Sequence, residues 1–444
     1  MTGTSSLGTS SRYPSGRSAW SLVGLLTVAY IFSFTDRAIL GLLIEPIKAD
    51  LELSDSQLGL LLGPAFAIFY ATMGLPFGWL ADRYRRTWIV GAGAVVWSLA
   101  TLACGLGKNF IQLFVARMFV GVGEATLSPC AMSMIADSFP PERRGKPMAF
   151  YTTAVVFGTS IAYLVGATVL TWAKTAGPQS LPVIGEVEAW QLIFIGLGLA
   201  GILPALPFFA WREPPRSAGQ EPAAGLEGTG MRDTLAYVGR HWRVYLSFVS
   251  LPCLMTIIAY STGWNLAMFS RTFGWPAAQY ALVTGLVTLP LQLAVHAVTG
   301  WAVDRASQRG QRDASLLCVI WGALIMVPGY ALAPLMPNGT NAFVVMSIGG
   351  IGIGMITSVA PAALLNIAPA AIRAQLVALY FMMISLTGLF LGPTTVGFLS
   401  ANVFGEDRLN LAVATIPVLF GLVPLLLIPQ IRRLYRQHLQ QMPG

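Results

Sequence analysis

"GWLADR", Gly78–Arg83, is written a second time as "GWAVDR", Gly300–Arg305, and each copy closes a long apolar run. The echo is not isolated. "GVGEAT" from Gly121 is answered by "GIGMIT" from Gly352, Arg143 by Arg373, and Gly158 by Gly388. The matches keep their order, and their spacing changes once, where the longer loop "DRASQRGQRDAS", Asp304–Ser315, has been inserted. One shared hexapeptide would be weak, but four ordered matches make the chain a tandem duplication. Its halves must then share one architecture, paired across a central axis.

What lies between the matches fixes the class. The 444 residues are 55% hydrophobic and 10% charged, against roughly 25% charged in an ordinary soluble domain. Such a chain is an integral, multi-pass membrane protein. The net charge of +8 does not point to nucleic acid, because the Lys and Arg punctuate apolar runs instead of gathering on one surface. Cys104, Cys130, Cys253 and Cys318 each stand alone in an apolar run, as small buried hydrophobes with no metal-site spacing. No phosphate-cradling GxxxxGK[ST] loop is present, which excludes a primary pump. His296 is the one histidine at membrane depth, without a nucleophile or metal motif beside it, so an enzyme is excluded and no cofactor or metal is expected. A packing role with a hydrogen bond suits it better than titration.

A spanning helix needs about 20 mostly apolar residues. Breaks at charges, Pro and Gly divide the chain into twelve such segments, near 19–44, 56–81, 88–106, 109–136, 148–172, 190–210, 244–270, 276–303, 315–335, 342–367, 374–400 and 410–430. The expected fold is all-α, two pseudo-symmetric six-helix bundles at 19–210 and 244–430. A disordered tail at 1–18, a Pro- and Gly-rich linker at 211–243 and a tail at 431–444 complete it. With both termini on one side, 20 of the 27 Lys and Arg fall on that side and five on the other, which makes the termini cytoplasmic and the membrane the plasma (inner) membrane.

The remaining arginines, Arg37 and Arg117, lie within the apolar segments, as do Asp36 and Glu124. Charged side chains at membrane depth cost several kcal/mol each and mark functional positions by default. In "RMFVGVGEATLSP", Arg117 and Glu124 share one helix face about 10 Å apart along the axis. Asp36, in "YIFSFTDRAIL", matches Arg117 in depth, so the two can pair. Glu124 lies about two turns deeper, where lost hydration favours its protonated form and a nearby arginine restores the ionised one. Proton coupling through Glu124, with Arg117 as its movable counter-charge, is the expected use. A static ion pair pinning segment 1 to segment 4 is the alternative. Arg37 points about 100° from Asp36, within snorkelling reach of the outer surface, as a cavity or gate residue. In the duplicate half Met355 and Ile348 stand where Glu124 and Arg117 would, so the charge is one-sided.

Gly78, Asp82, Arg83 and Arg86, with Asp304 and Arg305 in the second copy, compose a cytoplasmic gate. An aspartate at the segment end can cap a helix of the other half, and arginines can pair with its acids when the inner side closes. Orientation charge alone accounts for the arginines but not for the repeated Gly and Asp.

At these residues the sequence resembles the major facilitator superfamily, whose motif after the second helix runs Gly-x-Leu-Ala-Asp-Arg-x-Gly-Arg-Arg. Gly78, Leu80, Ala81, Asp82, Arg83 and Arg86 match it, while Arg85 and Thr87 depart from it. "FTDRAIL", "LADRYRR", "RMFVGVGEA" and "IADSFPPERRG" further resemble the spinster-like branch. That resemblance implies twelve helices in two bundles working by alternating access. It also implies lysophospholipid or sphingolipid-type substrates in animal members and proton coupling, with Asp36, Arg117 and Glu124 on the charged positions of the first bundle.

For the substrate, Trp264, Asn265, Met268, Tyr380, Phe381, Met382 and Met383 are candidate cavity lining, since Met and aromatic side chains adapt to an acyl chain. Packing between helices or toward lipid is the alternative for each. Arg117 or Arg37 can hold an anionic head group. The expected protein is a monomeric secondary transporter of an amphipathic, lipid-like substrate, with protons and membrane lipids as partners. Transport of small organic anions or drugs is the runner-up.

Overall fold

A computed structural model of the chain describes residues 14, 16–140, 143–176, 179–181, 185–216, 231–369 and 372–441. Among the described residues twelve helices are long and apolar enough to cross a membrane. They are span 1 (Gly16–Leu42), span 2 (Asp55–Ala81), span 3 (Arg86–Gly105), span 4 (Phe110–Ser138), span 5 (Gly145–Trp172) and span 6 (Ala189–Ala210), then span 7 (Trp242–Phe273), span 8 (Ala277–Gln308), span 9 (Ala314–Leu335), span 10 (Gly339–Asn366), span 11 (Gln375–Phe404) and span 12 (Glu406–Leu426). They divide into six spans before the stretch 211–240 and six after it. An even number of crossings puts both chain ends on one face, called here the termini face.

On the opposite face several helix starts are capped by side chains. Ser54 accepts from Gln57 N and Gln57 Oε1 accepts from Ser54 N, a reciprocal box that opens span 2. Asn109 Oδ1 accepts from Gln112 N at 3.0 Å before span 4, and Asn338 Oδ1 from Asn341 N at 2.9 Å before span 10. Each cap satisfies a backbone donor that a helix leaves without a partner in its first turn. Spans 4 and 10 are the duplicated pair, so Asn338 is the mate of Asn109.

Glycine lets the two bundles touch on that same face. A Cβ on Gly59 would stand 2.9 Å from the Pro393 carbonyl oxygen, and one on Gly41 would stand 2.9 Å from that of Gly263. Backbones from opposite halves therefore pack without side chains between them, much as small residues do elsewhere in membrane helices.

Ion pairs seal the contact. Arg271, at the end of span 7, binds Asp55 at 2.7 and 3.0 Å and Glu45 at 2.7 Å. Lys48 binds Asp55 at 2.6 Å and also Glu406. Ser400 Oγ donates to Asp55 at 2.6 Å, and Glu406 Oε1 accepts from Asp55 N at 2.9 Å. Asp55, fully buried, is thus shared by both halves.

The termini face is arranged differently. Arg86, 2% exposed, turns into its own half, where it binds Asp137, Ser133 at 2.8 Å and Glu213 at 2.6 Å. Arg216 donates to the carbonyls of Ala81 and Tyr84, at 3.0 and 2.6 Å, which end span 2. The stretch 211–216 is therefore strapped to the first bundle.

The boundaries of the expected linker and tails shift. Of the linker, 217–230 lie outside the described residues, and its end is a helix, Met231–Arg240. Of the N-terminal tail, 1–13 and 15 lie outside, and helix begins at Gly16. The C-terminal tail is a helix, Ile428–Gln441, with 442–444 outside the described residues. A short antiparallel hairpin, 179–181 with 185–187, follows span 5 and was not expected.

Candidate functional site

Four charges meet inside the first bundle, and glycine spacing puts them there. Span 4 is broken within "VGVGEATL": one helix ends at Glu124 and the next begins at Leu127, with Thr126 Oγ1 donating to the Gly123 carbonyl at 2.8 Å. Gly121 presses on span 2, where a Cβ would come 2.6 Å from Phe66 O, and Gly123 on span 3, where it would come 2.6 Å from Gly93 O and Trp97 N. The close fit on both sides carries Glu124 to the bundle interior, at an interrupted helix of the kind that builds transporter sites.

Two ion pairs result. Asp36 Oδ2 lies 3.0 Å from Arg117 Nη1, and Thr101 Oγ1 donates to Asp36 Oδ1 at 2.8 Å. Glu124 Oε2 lies 2.6 Å from Arg37 Nε and accepts from Ser33 Oγ at 2.6 Å. The Arg37 guanidinium is also boxed by three rings, Tyr70 at 4.4 Å, Phe66 at 4.6 Å and Phe34 at 4.8 Å. Phe66 serves both pairs, since Arg117 lies 5.5 Å from the same ring. Such contacts favour a guanidinium that has left water.

The pairing corrects the sequence reading in one respect. Glu124 is held by Arg37 and not by Arg117, because seven residues along one helix separate Arg117 from Glu124 by about 10 Å, while span 1 delivers Arg37 directly. Arg37 accordingly does not snorkel toward the outer surface; the carboxylate and the rings draw it inward. Burial is uneven as well. Asp36, Arg117 and Glu124 are 1–3% exposed, whereas the Arg37 side chain is 12% exposed. The expected open polar chamber is, in this state, a sealed cluster with one charge at its edge. Two of its atoms, Arg117 Nε and Glu124 Oε1, have no hydrogen-bond partner among the described residues.

The other expected site residues fall in three groups. Trp264, Asn265 and Met268 do not line a cavity: all three are buried in the second bundle, where Trp264 Nε1 donates to Pro393 O at 3.0 Å and Asn265 Nδ2 contacts Met346 Sδ at 3.2 Å. These positions lie where span 7 passes through a short turn into the amphipathic helix Asn265–Phe273, and its buried side turns them toward their own bundle. Tyr380 is buried, Met382 half-buried, and Phe381 and Met383 exposed, at 48% and 41%. On the termini face, Gly78 has open space around it. Arg83 stacks on Trp79 at 3.9 Å, and Arg305 lies 5.8 Å from the Trp301 ring. Arg83, Asp304 and Arg305 are exposed and not joined across the halves. Arg86 lies at that face within the first bundle's internal network, not across the halves. The side chain of Asp82 lies outside the described residues. His296 is half-buried, with Nδ1 2.7 Å from Gln292 O.

The outer ion network of Glu45, Lys48, Asp55, Arg271 and Glu406 is the feature that sequence reasoning missed. These residues are scattered through loops and helix ends, where they read as orientation charge. Among the described residues, ion pairs tie the bundles on the face opposite the termini and none joins them on the termini face, so the molecule is closed opposite the termini.

Comparison with known proteins agrees with this geometry. The model of the Major Facilitator Superfamily matches residues 26–393. An MFS-type efflux pump of Mycolicibacterium smegmatis is 29% identical over 326 residues, covering 71% of this chain and 70% of the pump. Human protein spinster homolog 1 is 30% identical over 263 residues, 58% of this chain and 46% of that one, so the match spans less than half of the human protein. A bacterial homolog of the human lysosomal transporter Spinster, solved in an inward-facing and unoccupied conformation, superposes with a TM-score of 0.77 at 25% identity, over 96% of this chain and 98% of that one.

Proposed function

Because this chain belongs to the Major Facilitator Superfamily, as a spinster-like transporter within it, we propose that it couples proton movement to alternating-access transport of an amphipathic, lipid-like substrate of lysophospholipid or sphingolipid type. The observation that carries the proposal is the Glu124–Arg37 pair. Glu124 is ionised while Arg37 faces it. A proton on Glu124 removes the charge that draws Arg37 inward, and Arg37, already at the cluster's edge, is released to an anionic head group. Loss of that head group returns Arg37 to Glu124 and expels the proton. Asp36 and Arg117 hold span 1 to span 4 while this happens. Phe381 and Met383 are exposed on span 11, and in this reading they serve as an adaptable apolar wall for the acyl chain.

The outer ion network and the termini-face motifs are the two gates, the first closed and the second open. The Lys and Arg bias supports a cytoplasmic termini face, and hence an inward-open state of a monomer in the plasma membrane. Export or import of small organic anions or drugs is the second reading, favoured by the likeness to the M. smegmatis efflux pump. A thermal-shift screen of the detergent-purified protein separates them. Lysolipids should raise Tm in a concentration-dependent way, whereas a response to soluble anions or drugs alone would overturn the lipid assignment.

A further inference from the structure

The helix Ile428–Gln441 follows span 12 almost without a break and lies on the termini face. Ile431, Tyr435 and His438, spaced i, i+4 and i+7, are buried against the second bundle, and Tyr435 Oη donates to Ala363 O at 2.7 Å. The other side is basic. Arg432, Arg433 and Arg436, with Pro429, Gln437 and Gln440, border a groove of about 370 Å³.

One acid holds two of the three arginines. Asp313, 4% exposed, takes Arg436 Nε at 2.6 Å and Arg432 Nε at 3.3 Å, both on Oδ2. Arg433 is exposed. Among the described residues, the terminal nitrogens of Arg432 and Arg436 and the whole Arg433 guanidinium have no hydrogen-bond partner. Three arginines share one acid, so two positive charges are in excess, and the buried carboxylate positions Arg432 and Arg436 through Nε and leaves their forks free. Burial opposes ionisation of Asp313, yet the hydrogen bonds from Arg436 and Arg432 outweigh it and keep the carboxyl below the ordinary carboxylate range, so the holder stays charged at neutral pH.

The groove begins where the lipid-facing surface ends. Val423 and Leu426, on the last turn of span 12, are 56% and 78% exposed, and Leu427 is 40% exposed. We infer that the groove binds the phosphate of an anionic phospholipid, with the acyl chains along span 12 and the head group on the guanidinium forks. The shared chemistry is a phosphate on arginine, and the adjoining apolar strip selects a lipid over a free ion.

Native mass spectrometry of the full-length protein, delipidated in detergent and then offered phosphatidylglycerol or phosphatidylcholine, tests it. Phosphatidylglycerol should be retained preferentially. Arg433→Gln, which spares both bonds to Asp313, should weaken that retention about fivefold and leave phosphatidylcholine unchanged, while Arg240→Gln, an exposed arginine elsewhere, should do nothing. Equal retention of the two lipids, or no effect of Arg433→Gln, would overturn the site. Displacement of phosphatidylglycerol by inorganic phosphate at equal concentration would show a free-anion site and overturn the lipid assignment.

Discussion

Arg37 Nε stands 2.6 Å from Glu124 Oε2, and of the four charges in the cluster Arg37 alone reaches the surface. The glutamate is therefore the fixed member and the arginine the free one. Glu124→Gln keeps the shape of the site and removes the attraction, while Arg37 retains three aromatic faces and some access to water. Folding should survive. In proteoliposomes with an imposed pH gradient, uptake should drop at least about tenfold, the loss of roughly 1.4 kcal/mol of coupling. Undiminished pH-driven uptake by Glu124→Gln would remove the carboxylate from the mechanism.

Asp36 answers differently because its partner has nowhere to go. Arg117 is 3% exposed and its Nε already lacks a partner. Asp36→Asn leaves a buried arginine unpaired, a loss of about 3–5 kcal/mol. Tm in detergent should fall sharply. The double variant Asp36→Leu with Arg117→Met should recover most of it, since replacing both members of a buried pair by apolar groups is close to neutral. Failure of the double variant to regain stability would mean that the pair does more than hold spans 1 and 4 together.

The outer network sets which face is closed. Arg271 makes two bonds to Asp55 and one to Glu45, all across the half interface. Arg271→Gln should shift the population toward a form open opposite the termini. Spin labels at Glu52→Cys and Asp407→Cys, both exposed on that face, should report a longer distance in the variant. High salt should lengthen it only modestly, because the central carboxylate is buried from screening ions. An unchanged distance distribution would assign closure to the glycine contacts instead.

The twelve crossings and their duplication were legible because lipid imposes them. Each span must be long and apolar, and the two copies of the Gly-Trp motif mark corresponding ends. The meeting of Asp36 and Arg117 was legible from depth, as both lie eight residues from the outer end of their segments. The direction of Arg37 was not, because a helical wheel gives an angle but not the ring box of Phe34, Phe66 and Tyr70 that receives it. Nor was the fate of Trp264, Asn265 and Met268, since residue type alone does not say whether a face of a spanning helix meets its own bundle or a cavity. The outer network joins residues as distant in sequence as Lys48 and Glu406, and no local pattern links them.

The glycines around Glu124 carry a stability test of their own. A Cβ on Gly123 would lie 2.6 Å from both Gly93 O and Trp97 N, which are backbone atoms of span 3. They cannot yield as a side-chain tip would, so span 4 must shift and Glu124 with it. Gly123→Ala should cost about 1–3 kcal/mol and reduce transport by more than the stability loss explains, because the Arg37 contact lengthens. Gly24→Ala, where a Cβ meets open space, is the control. Wild-type Tm and transport in Gly123→Ala would show that the spans 3 and 4 contact is looser than it stands here.

A pH dependence of stability follows from His438, on the C-terminal helix. Its ring is 5.0 Å from that of His241 and 6.0 Å from that of Tyr245. Burial, and then the neighbouring His241, hold its pKa below the ordinary histidine value. Between the lowered folded value and the unfolded value of about 6.5, the unfolded chain binds more protons, so stability rises with pH there. The contribution is complete above about pH 6.5 and is lost as pH falls through the folded value. Asp313, whose carboxyl titrates below the usual range, stays ionised across this window and does not contribute to the change. Acidifying from pH 7.5 to 5 should therefore loosen the helix Ile428–Gln441, seen as faster amide exchange or faster tryptic cleavage at Arg432, Arg433 and Arg436. His438→Leu should flatten the dependence. Exchange that is independent of pH in the wild type, after correction for the intrinsic rate, would show that the two histidine rings do not oppose each other's charge.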